Sequence, residues 1–567
     1  MKKLDNLTEK QANWLFWGCF AALTATSVGF MVRAQIIGAL GVDFGLSETQ
    51  KGEIFGVGLW PFSISIIFFS LVVDKIGYGL SMLIAFCLHV LSAIVTIFAD
   101  GYWMLYWGTF ILALGNGTVE AVINPAVATI YPKEKTKWLN ILHAGWPAGL
   151  VLGGFLSIVM GPDVSWKWKV ALVLIPVAIY GIMLYGRKFP VQERVKAGVS
   201  YKDMLSEAGA VGFFFIFYII LLEINRVAGL QPMYESGFLS LPHISLTALL
   251  LLVTGAYYFY TESLGRPVFV ILLLIMIPLA TTELGTDSWI TDLLVPFLGD
   301  NAGWVVVYTA LIMMVLRFYA GPIVHRISPL GLLTASSAIA LVGLFVLSKA
   351  TGIMIFIAAT IYGLGKTFFW PTMLGVASER FPKGGALTLN GITGVGMLAA
   401  GVFGVAFLGN IQDKQIDREL QAQNPGIHSR VMGQEKSSIF GNYKPIDQQK
   451  LQSLASSQQD GIVSIQASAK QGALATVAIF PAIMLLSYIG LMLYFRSIGG
   501  YKAIHLDEST VMIVGTGGIG QEVGRLCKAF RMKVIGVDPK FEKLDNFDEL
   551  IKPENLSENL EKVDVLV

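Results

Sequence analysis

The stretch YPKEKTKWLN, residues 131–140, is matched later in the chain by FPKGGALTLN, residues 381–390. Both stretches begin with an aromatic residue and Pro-Lys, both end in Leu-Asn, and the second lies 250 residues after the first. A self-match over so long a distance indicates that one half of the chain is a copy of the other. Repeats of this kind are typical of membrane proteins that are built from two related halves.

Two shorter features keep almost the same spacing. Gly115 in the sequence GNG corresponds to Gly365 in GLG, again 250 residues on, and the charged loop at Asp74 corresponds to the loop at His325, 251 residues on. Three separate features at one offset predict two homologous halves of six helices each.

The composition indicates that lipid is the main solvent of this chain. Hydrophobic residues make up 54% of its 567 residues and charged residues 14%, whereas soluble domains carry about 25% charged residues. The net charge of +2 gives no reason to expect a nucleic-acid partner. The three cysteines, Cys19, Cys87 and Cys527, are too widely spaced to suggest a disulfide framework or a metal site.

Apolar runs of about 20 residues are long enough for helices that span a bilayer. The first half has six such runs, near residues 14–38, 52–73, 80–99, 104–130, 139–160 and 167–187. The second half has six more, near residues 267–291, 303–321, 330–348, 352–377, 388–409 and 473–495. Two central runs, 209–222 and 245–260, are marginal, so we predict an all-α membrane protein of 12 to 14 spans. The first run has no small-residue cleavage site and is predicted to be retained.

The placement of charge predicts the orientation in the membrane. One set of loops carries basic residues, namely Lys2, Lys3, Lys10, Lys75, Lys133, Lys135, Lys137, Arg187, Lys188, Arg194, Lys196, Lys202, Arg326, Arg380 and Lys383. The other set carries Asp43, Asp100, Asp292 and Asp300, with Lys167 and Lys169 as exceptions. The positive-inside rule then places both termini in the cytoplasm, for a multi-pass protein of the cytoplasmic (inner) membrane.

Four regions follow from this division. They are a first six-helix half (1–190), a central linker (191–265), a second six-helix half (266–498) and a tail of different character (505–567). Within the second half, residues 410–472 are rich in Gln, Ser and mixed charge, which predicts an extended, partly helical loop outside the membrane.

The loop SLVVDKIG, residues 70–77, and its copy GPIVHR, residues 321–326, resemble the signature of the major facilitator superfamily between its second and third helices. Within it, GNGTVEAVINP (115–125) and FWPT (369–372) resemble the fucose/glucose/galactose:proton symporter family. The resemblance implies secondary transport of a sugar by proton symport with alternating access, and it implies a role for the fourth-helix carboxylate, Glu120. In place of the family's first-helix acid this chain has Arg33 and Gln35, and Trp146 stands where the family has a fifth-helix Asn.

Glu120 is the first candidate for solute and proton coupling. An ionisable group within a membrane span costs several kcal/mol unless it is paired or hydrated, so each such group is a candidate functional residue. Glu120 lies one turn before the Asn124-Pro125 break, where loss of water favours the protonated carboxyl. The alternative is a structural carboxylate bonded to a neighbouring helix.

Two cations within predicted spans are also candidates. Arg33 either captures a solute carboxylate, which would favour a sugar acid such as a uronate, or forms an ion pair with an acid such as Glu120. Lys366 occupies the repeat position of Asn116, so it either faces Glu120 across the cavity or forms a packed ion pair.

The remaining candidates rest on helix faces and ring chemistry. Glu283, Thr286 and Asp287 share a face that would suit sugar hydroxyls. His143 either relays protons or is a structural helix-end histidine. Arg317, near a helix end, is expected to snorkel to the interface or support the nearby loop. Three tryptophans either stack on a sugar ring or pack at interfaces, namely Trp146, Trp289 and Trp370.

The tail carries a dinucleotide-binding pattern. VMIV (511–514) predicts a buried strand, GTGGIG (515–520) a tight turn that opens a helix, and KVIGVD (533–538) a second strand that ends in an acid. Gly515, Gly517 and Gly520 would admit the pyrophosphate, and Asp538 would bind the ribose.

The tail resembles the cofactor domain of D-isomer-specific 2-hydroxyacid dehydrogenases. The resemblance implies NAD as ligand, but the catalytic Arg, Glu and His it implies would come later than residue 567, so we expect an incomplete appendage and no enzyme activity. Two alternatives remain, a membrane-tethered NAD-dependent oxidoreductase and a transport sensor that reads NAD. Transport itself is expected to need no cofactor.

Overall fold

The computed structural model describes most of the chain. The described residues are 7–46, 54–161, 163–227, 241–287, 303–401, 406–435, 442–447, 450–451, 453–504, 510–529, 532–540, 544–560, 563 and 565–567. Among them, twelve helices are long and apolar enough to cross a membrane. The predicted all-α membrane architecture is therefore confirmed.

The first half contains six spans. Its helices are α1 (Glu9–Phe44), α2 (Trp60–Ile76), α3 (Tyr78–Ile97), α4 (Tyr102–Ile130), α5 (Lys135–His143), α6 (Gly145–Val159), α7 (Trp166–Ala171) and α8 (Leu174–Leu184). The first helix begins at a capping box, in which Thr8 and Gln11 satisfy each other's backbone N–H groups. The fifth span consists of α5 and α6, and the sixth consists of α7 and α8.

A central helix pair follows. After a short helix α9 (Glu193–Lys196), the pair is formed by α10 (Tyr201–Val227) and α11 (Leu241–Thr261). Both central runs therefore form helices of spanning length, which their sequence left marginal. The apolar run 209–222 is shorter than the helix because α10 begins at Tyr201, among more polar residues. Gly209 (φ +61°) interrupts α10, and beyond it the N–H of Ala210 donates to the carbonyl of Ser263 at 2.9 Å.

In the second half, four helices are long and apolar enough to cross a membrane, and Trp304–Phe318 is a shorter apolar helix, so the twelve spans among the described residues include the central pair. The helices of this half are α12 (Pro267–Ala280), α13 (Gly303–Phe318), α14 (Ala320–Arg326), α15 (Pro329–Leu347), α16 (Ile353–Lys366), α17 (Phe369–Arg380) and α18 (Gly385–Ala399). A 3₁₀ turn at Pro382–Gly384 precedes α18, and a π-helical turn, Thr281–Gly285, continues α12. Such π turns occur often at functional sites.

The region predicted as an extended outer loop is largely helical. It contains α19 (Ala406–Gln423), α20 (Pro425–Val431) and α21 (Ser456–Val477), which leads into the last span, α22 (Ile479–Ser497). These helices share a small apolar core that includes Leu420, Val431 and Ile462. Burying these side chains against each other stabilises the helices, and the region has more helix than the partly helical loop that the sequence predicts.

The helix pairs that join the two halves include α2 with α18, α5 with α17, and α6 with α13. Within the first half, α4 approaches α2 so closely that a Cβ on Gly117 would lie 2.2 Å from the carbonyl oxygen of Phe62. The hydroxyl of Ser63 donates to the carbonyl of Gly394 at 2.6 Å across the halves. Small residues thus permit close helix contacts, as in other membrane bundles.

The tail is a small α/β unit with a parallel sheet. Its elements are β1 (Thr510–Val514), α23 (Gly518–Ala529), β2 (Lys533–Val537), β3 (Glu549–Ile551), a 3₁₀ turn (Pro553–Asn555), α24 (Leu556–Asn559) and β4 (Val565–Leu566). The strand order is β3-β2-β1-β4, and all three strand pairings are parallel. This order is the one found in dinucleotide-binding folds.

We predict that Gly117→Ala destabilises the protein by about 1–3 kcal/mol, since the new methyl group would collide with backbone. The matched control is Gly490→Ala in α22, where a Cβ would meet no atom within 4 Å. Thermal unfolding of the purified proteins in detergent measures the stability of both variants. Equal melting temperatures for the two variants would contradict the close contact.

Candidate functional site

A narrow cavity lies between the two halves, at the middle of the bundle. Its volume is about 20 Å³, which is room for about one water molecule, so the halves are closed around it. The lining residues are Glu120, His143, Trp146, Glu283, Leu284, Arg317, Trp370 and Met397. Five of the predicted site residues thus lie around a single cavity.

The first-half wall is a chain of hydrogen bonds that starts at Glu120. The side-chain amide of Asn124 donates to Oε2 of Glu120 at 3.4 Å, and Nε2 of His143 donates to Oδ1 of Asn124 at 2.9 Å. All three side chains are buried, and Glu120 is only 4% exposed. The chain of bonds joins α4 to the C-terminal end of α5.

Arg317 forms the second-half wall and also contacts the first half. Its Nε donates to the carbonyl of Thr367 (2.7 Å), one terminal nitrogen donates to the carbonyl of His143 (2.8 Å), and the other pairs with Glu283 (2.9 Å). The side chain is 1% exposed. The expectation that Arg317 snorkels to the interface is therefore wrong, because a buried carboxylate and two carbonyls satisfy the guanidinium inside the bundle.

Glu283 lies on the π turn that continues α12, and its second carboxylate oxygen has no hydrogen-bond partner. Near it, the buried Lys366 forms an ion pair with Asp287, which is partly exposed. Lys366 therefore pairs within the second half, and the predicted arrangement facing Glu120 is not found. Asp287, one turn past Glu283, is the closer acid and satisfies the ammonium group.

Arg33 and Gln35 lie away from this cavity, on α1. Arg33 lines a separate cavity of about 40 Å³ and lies over the rings of Phe30 (5.8 Å) and Phe55 (5.2 Å). Among the described ion pairs none joins Arg33 to Glu120, so that alternative is not found. Gln35 is partly buried and does not line the Glu120 cavity. Trp289 lies outside the described residues.

Two tryptophans close the cavity from opposite halves. Trp146 follows His143 at the start of α6, and its ring lies 5.8 Å from that of Phe30. Trp370, on α17, packs against Gly396, where a Cβ would lie 2.7 Å from the indole. Together with the hydrogen bonds that link Glu120, Asn124 and His143, the two tryptophans give a site with flat apolar rings beside hydrogen-bonding groups.

The sequence predicted an interface or loop role for Arg317 and did not indicate its place in the cavity wall. A signal for it existed, since an intramembrane acid such as Glu283 requires a cation nearby. Its position near the end of α13 hid this role, because long basic side chains at helix ends normally reach the interface.

The tail brings its predicted dinucleotide residues together. Gly515 has φ +94°, and a Cβ on Gly520 would lie 2.0 Å from the carbonyl oxygen of Gly515, so the turn requires glycine at both positions. The backbone N–H groups of Lys540 and Thr516 bind the carboxylate of Asp538 and lower its pKa, so it is ionised at neutral pH. Gly517 is open to solvent. These residues fit a dinucleotide.

Comparison with known families gives two matches. The family model of the Major Facilitator Superfamily matches residues 16–405. The model of the D-isomer specific 2-hydroxyacid dehydrogenase, NAD binding domain, matches residues 496–567.

Two curated relatives from Bacillus subtilis are similar over parts of the chain. A "Nitrite extrusion protein" is 26% identical over 34% of this chain and 49% of its own length. A "Hexuronate transporter" is 29% identical over 24% of this chain and 31% of its own length. The chain thus matches half or less of the length of these relatives.

Two solved structures share the fold. The Major Facilitator Superfamily transporter FucP, in an outward conformation, has a TM-score of 0.53 at 14% identity and covers 84% of this chain and 99% of its own. The proton:xylose symporter XylE has a TM-score of 0.55 at 12% identity and covers 85% of this chain and 97% of its own. At these identities the likeness extends to the fold alone.

We predict that Arg317→Leu destabilises the protein by about 3–5 kcal/mol, because it leaves the buried Glu283 carboxylate without its cation. The double variant Glu283→Leu/Arg317→Leu should lose less stability than Arg317→Leu, since neither residue then leaves an unpaired charge. Thermal unfolding in detergent measures both variants. A double variant that is less stable than Arg317→Leu would contradict the role of the pair.

Proposed function

The chain belongs to the major facilitator superfamily, and we propose that it is a secondary active transporter that moves a small polar solute, a sugar or sugar acid, together with a proton. The observation that carries the proposal is the buried polar network of the central cavity. It joins Glu120, Asn124 and His143 of the first half to Arg317 and Glu283 of the second.

Glu120 is the proposed proton-binding group. The structure gives its carboxyl one side-chain hydrogen-bond donor, Asn124, and no ion pair among the described residues. A buried carboxyl without a cation exchanges a proton more readily than one held in an ion pair such as that of Glu283. Because Glu120 lines the cavity, its carboxyl would exchange a proton with water that enters when one side of the bundle opens.

The position of the cavity supports alternating access. It lies at the interface of two repeated halves, which is where transporters of this architecture bind their solutes. Opening one end or the other would expose the same residues to either side of the membrane. We propose that the basic end of the bundle, which carries the loops at Lys133 and Lys383, faces the cytoplasm.

The lining favours a solute with a ring and several hydroxyl groups. Trp146 and Trp370 offer flat apolar surfaces, and Glu120 and His143 offer hydrogen-bonding groups. Arg317 would contribute to binding a sugar acid, because a guanidinium binds carboxylates in a bidentate manner. The similarity to a hexuronate transporter over part of the chain supports a sugar acid, and the rings and hydrogen-bonding groups of the lining also fit a neutral sugar.

We predict that Glu120→Gln abolishes solute accumulation driven by a pH gradient in proteoliposomes, while solute exchange without a gradient persists. The amide keeps the shape of the side chain but cannot bind and release a proton. The matched control is Glu262→Gln, an exposed acid at the end of the central pair that should leave uptake unchanged. Gradient-driven accumulation by Glu120→Gln at the rate of the parent protein would rule out this residue as the coupling site.

A second function, dinucleotide binding by the tail, is favoured by the geometry of its glycine turn and of Asp538. A nicotinamide dinucleotide supplies hydride-transfer chemistry when an enzyme uses it. We propose that here the tail binds the dinucleotide as a membrane-tethered binding unit.

We predict that Asp538→Ala weakens NADH binding to the full-length protein by about tenfold or more, because a charged acceptor for the ribose hydroxyls is lost. Quenching or enhancement of NADH fluorescence measures the affinity. Glu558→Ala, at an exposed position of α24, is the control and should bind as the parent does. Equal affinities in all three proteins would argue against the proposed site.

A further inference from the structure

The segment between the last span and the tail contacts the basic end of the bundle. We call residues 499–504, which follow α22, the strap. The N–H of Ile504 donates to the carbonyl of Glu379 at 2.7 Å, and the hydroxyl of Tyr501 donates to Oε2 of Glu379 at 2.8 Å. Arg380 donates to the carbonyl of Lys502 at 2.6 Å. The strap is thus bound to the last two residues of α17.

The other oxygen of the Glu379 carboxylate binds the first half. The backbone N–H of Thr136 donates to Oε1 at 3.3 Å, and the hydroxyl of Thr136 donates to the same atom. Beside it, Nζ of Lys135 donates to the carbonyl of Ser378 at 3.3 Å. Glu379 therefore bridges three parts of the chain, namely the start of α5, the end of α17 and the strap.

These bonds close the basic end of the bundle. Thr136 is buried against α17, where a Cβ on Gly375 would lie 2.3 Å from its hydroxyl. One turn deeper, the side-chain amide of Asn140 donates to the hydroxyl of Thr372 at 3.2 Å. Any opening of this end toward the central cavity must separate α5 from α17 and break the bonds of Glu379 to Thr136.

Tyr501 is well suited to hold Glu379 in place. Burial and the neighbouring Glu379 carboxylate raise the pKa of the Tyr501 hydroxyl well above its usual range, so the hydroxyl stays protonated and donates at any physiological pH. Its ring packs edge-on against Phe495 of α22 at 5.5 Å, which fixes the direction of the hydroxyl. Hydrogen bonds from such donors to a carboxylate are among the stronger ones in proteins.

We propose that Tyr501 is a positioning residue of the gate at the basic end, and that the strap is part of this gate. By holding one oxygen of Glu379, Tyr501 aims the other oxygen at Thr136 and so stabilises the closed state. The same six-residue segment lies between the transport bundle and the dinucleotide-binding tail in the sequence. The proposal assumes that the halves separate at this end, and it holds for any solute.

The test measures the distance across the gate in the full-length protein. Spin labels are attached at Lys133→Cys and Lys383→Cys, two exposed positions 250 residues apart on opposite halves, in a background with Cys19→Ala, Cys87→Ser and Cys527→Ser. Double electron–electron resonance then gives the populations of short (closed) and long (open) distances between the two labels. This readout reports opening and does not depend on which solute or ion is carried, so its failure is distinct from failure of the proposed transport function.

Tyr501→Phe should raise the ratio of open to closed protein by about tenfold, since Glu379, no longer held at one oxygen, binds Thr136 less well in the closed state, while the packing of the ring is kept. The control Lys502→Gln should leave the ratio unchanged, because Arg380 contacts only the backbone of Lys502. Distance distributions for Tyr501→Phe that equal those of the parent, or of Lys502→Gln, would overturn the proposal.

A double-mutant cycle separates a gate role from a general loss of stability. Thr136→Val removes the hydroxyl bond to the other oxygen of Glu379. If both residues act through this carboxylate, Tyr501→Phe should open the gate much less in the Thr136→Val background than in the parent. If the effects of the two substitutions on the free energy of opening were fully additive, Tyr501 would act through other groups, and this result would also overturn the proposal.

Discussion

A charged side chain inside an apolar bundle must find a partner of opposite charge or hydrogen-bonding groups, and the centre of this protein is arranged around that requirement. The guanidinium of Arg317 meets it with three bonds, to Glu283, Thr367 and the carbonyl of His143. These bonds tie α13 to the π turn after α12, to the loop after α16 and to the break between α5 and α6. The cavity lies where these elements meet.

Close packing occurs both within the halves and between them. Within the first half, α4 packs on α2 at distances that exclude even one added methyl group, and between the halves a Cβ on Gly375 would lie 2.3 Å from the hydroxyl of Thr136. Between the halves, polar bonds add to this packing at the basic end and the centre, such as Thr136 to Glu379 and Arg317 to the His143 carbonyl. Such hydrogen bonds can be broken and re-formed, as a rocking motion of two halves requires.

The sequence predicted most of the fold, and its errors have local causes. Hydrophobicity and the 250-residue offset located the spans because length and apolarity are sufficient to place a helix in a bilayer. They underestimated α10, since its first residues, from Tyr201, are polar, and they did not locate the helices between α18 and α22, whose core needs only a few apolar residues such as Leu420 and Ile462. The tail was predicted closely because its glycine turn has strict spacing.

For the site, the sequence alone determined which polar residues are placed in membrane spans and are therefore costly to leave unsatisfied. It singled out Glu120, whose place on α4 beside Asn124 follows from helical spacing. Only the tertiary structure decided which group pairs with which. Arg317 and Lys366 find Glu283 and Asp287 rather than Glu120, because pairing depends on the depth and rotation of helices from distant parts of the chain, and no local pattern in the sequence encodes these.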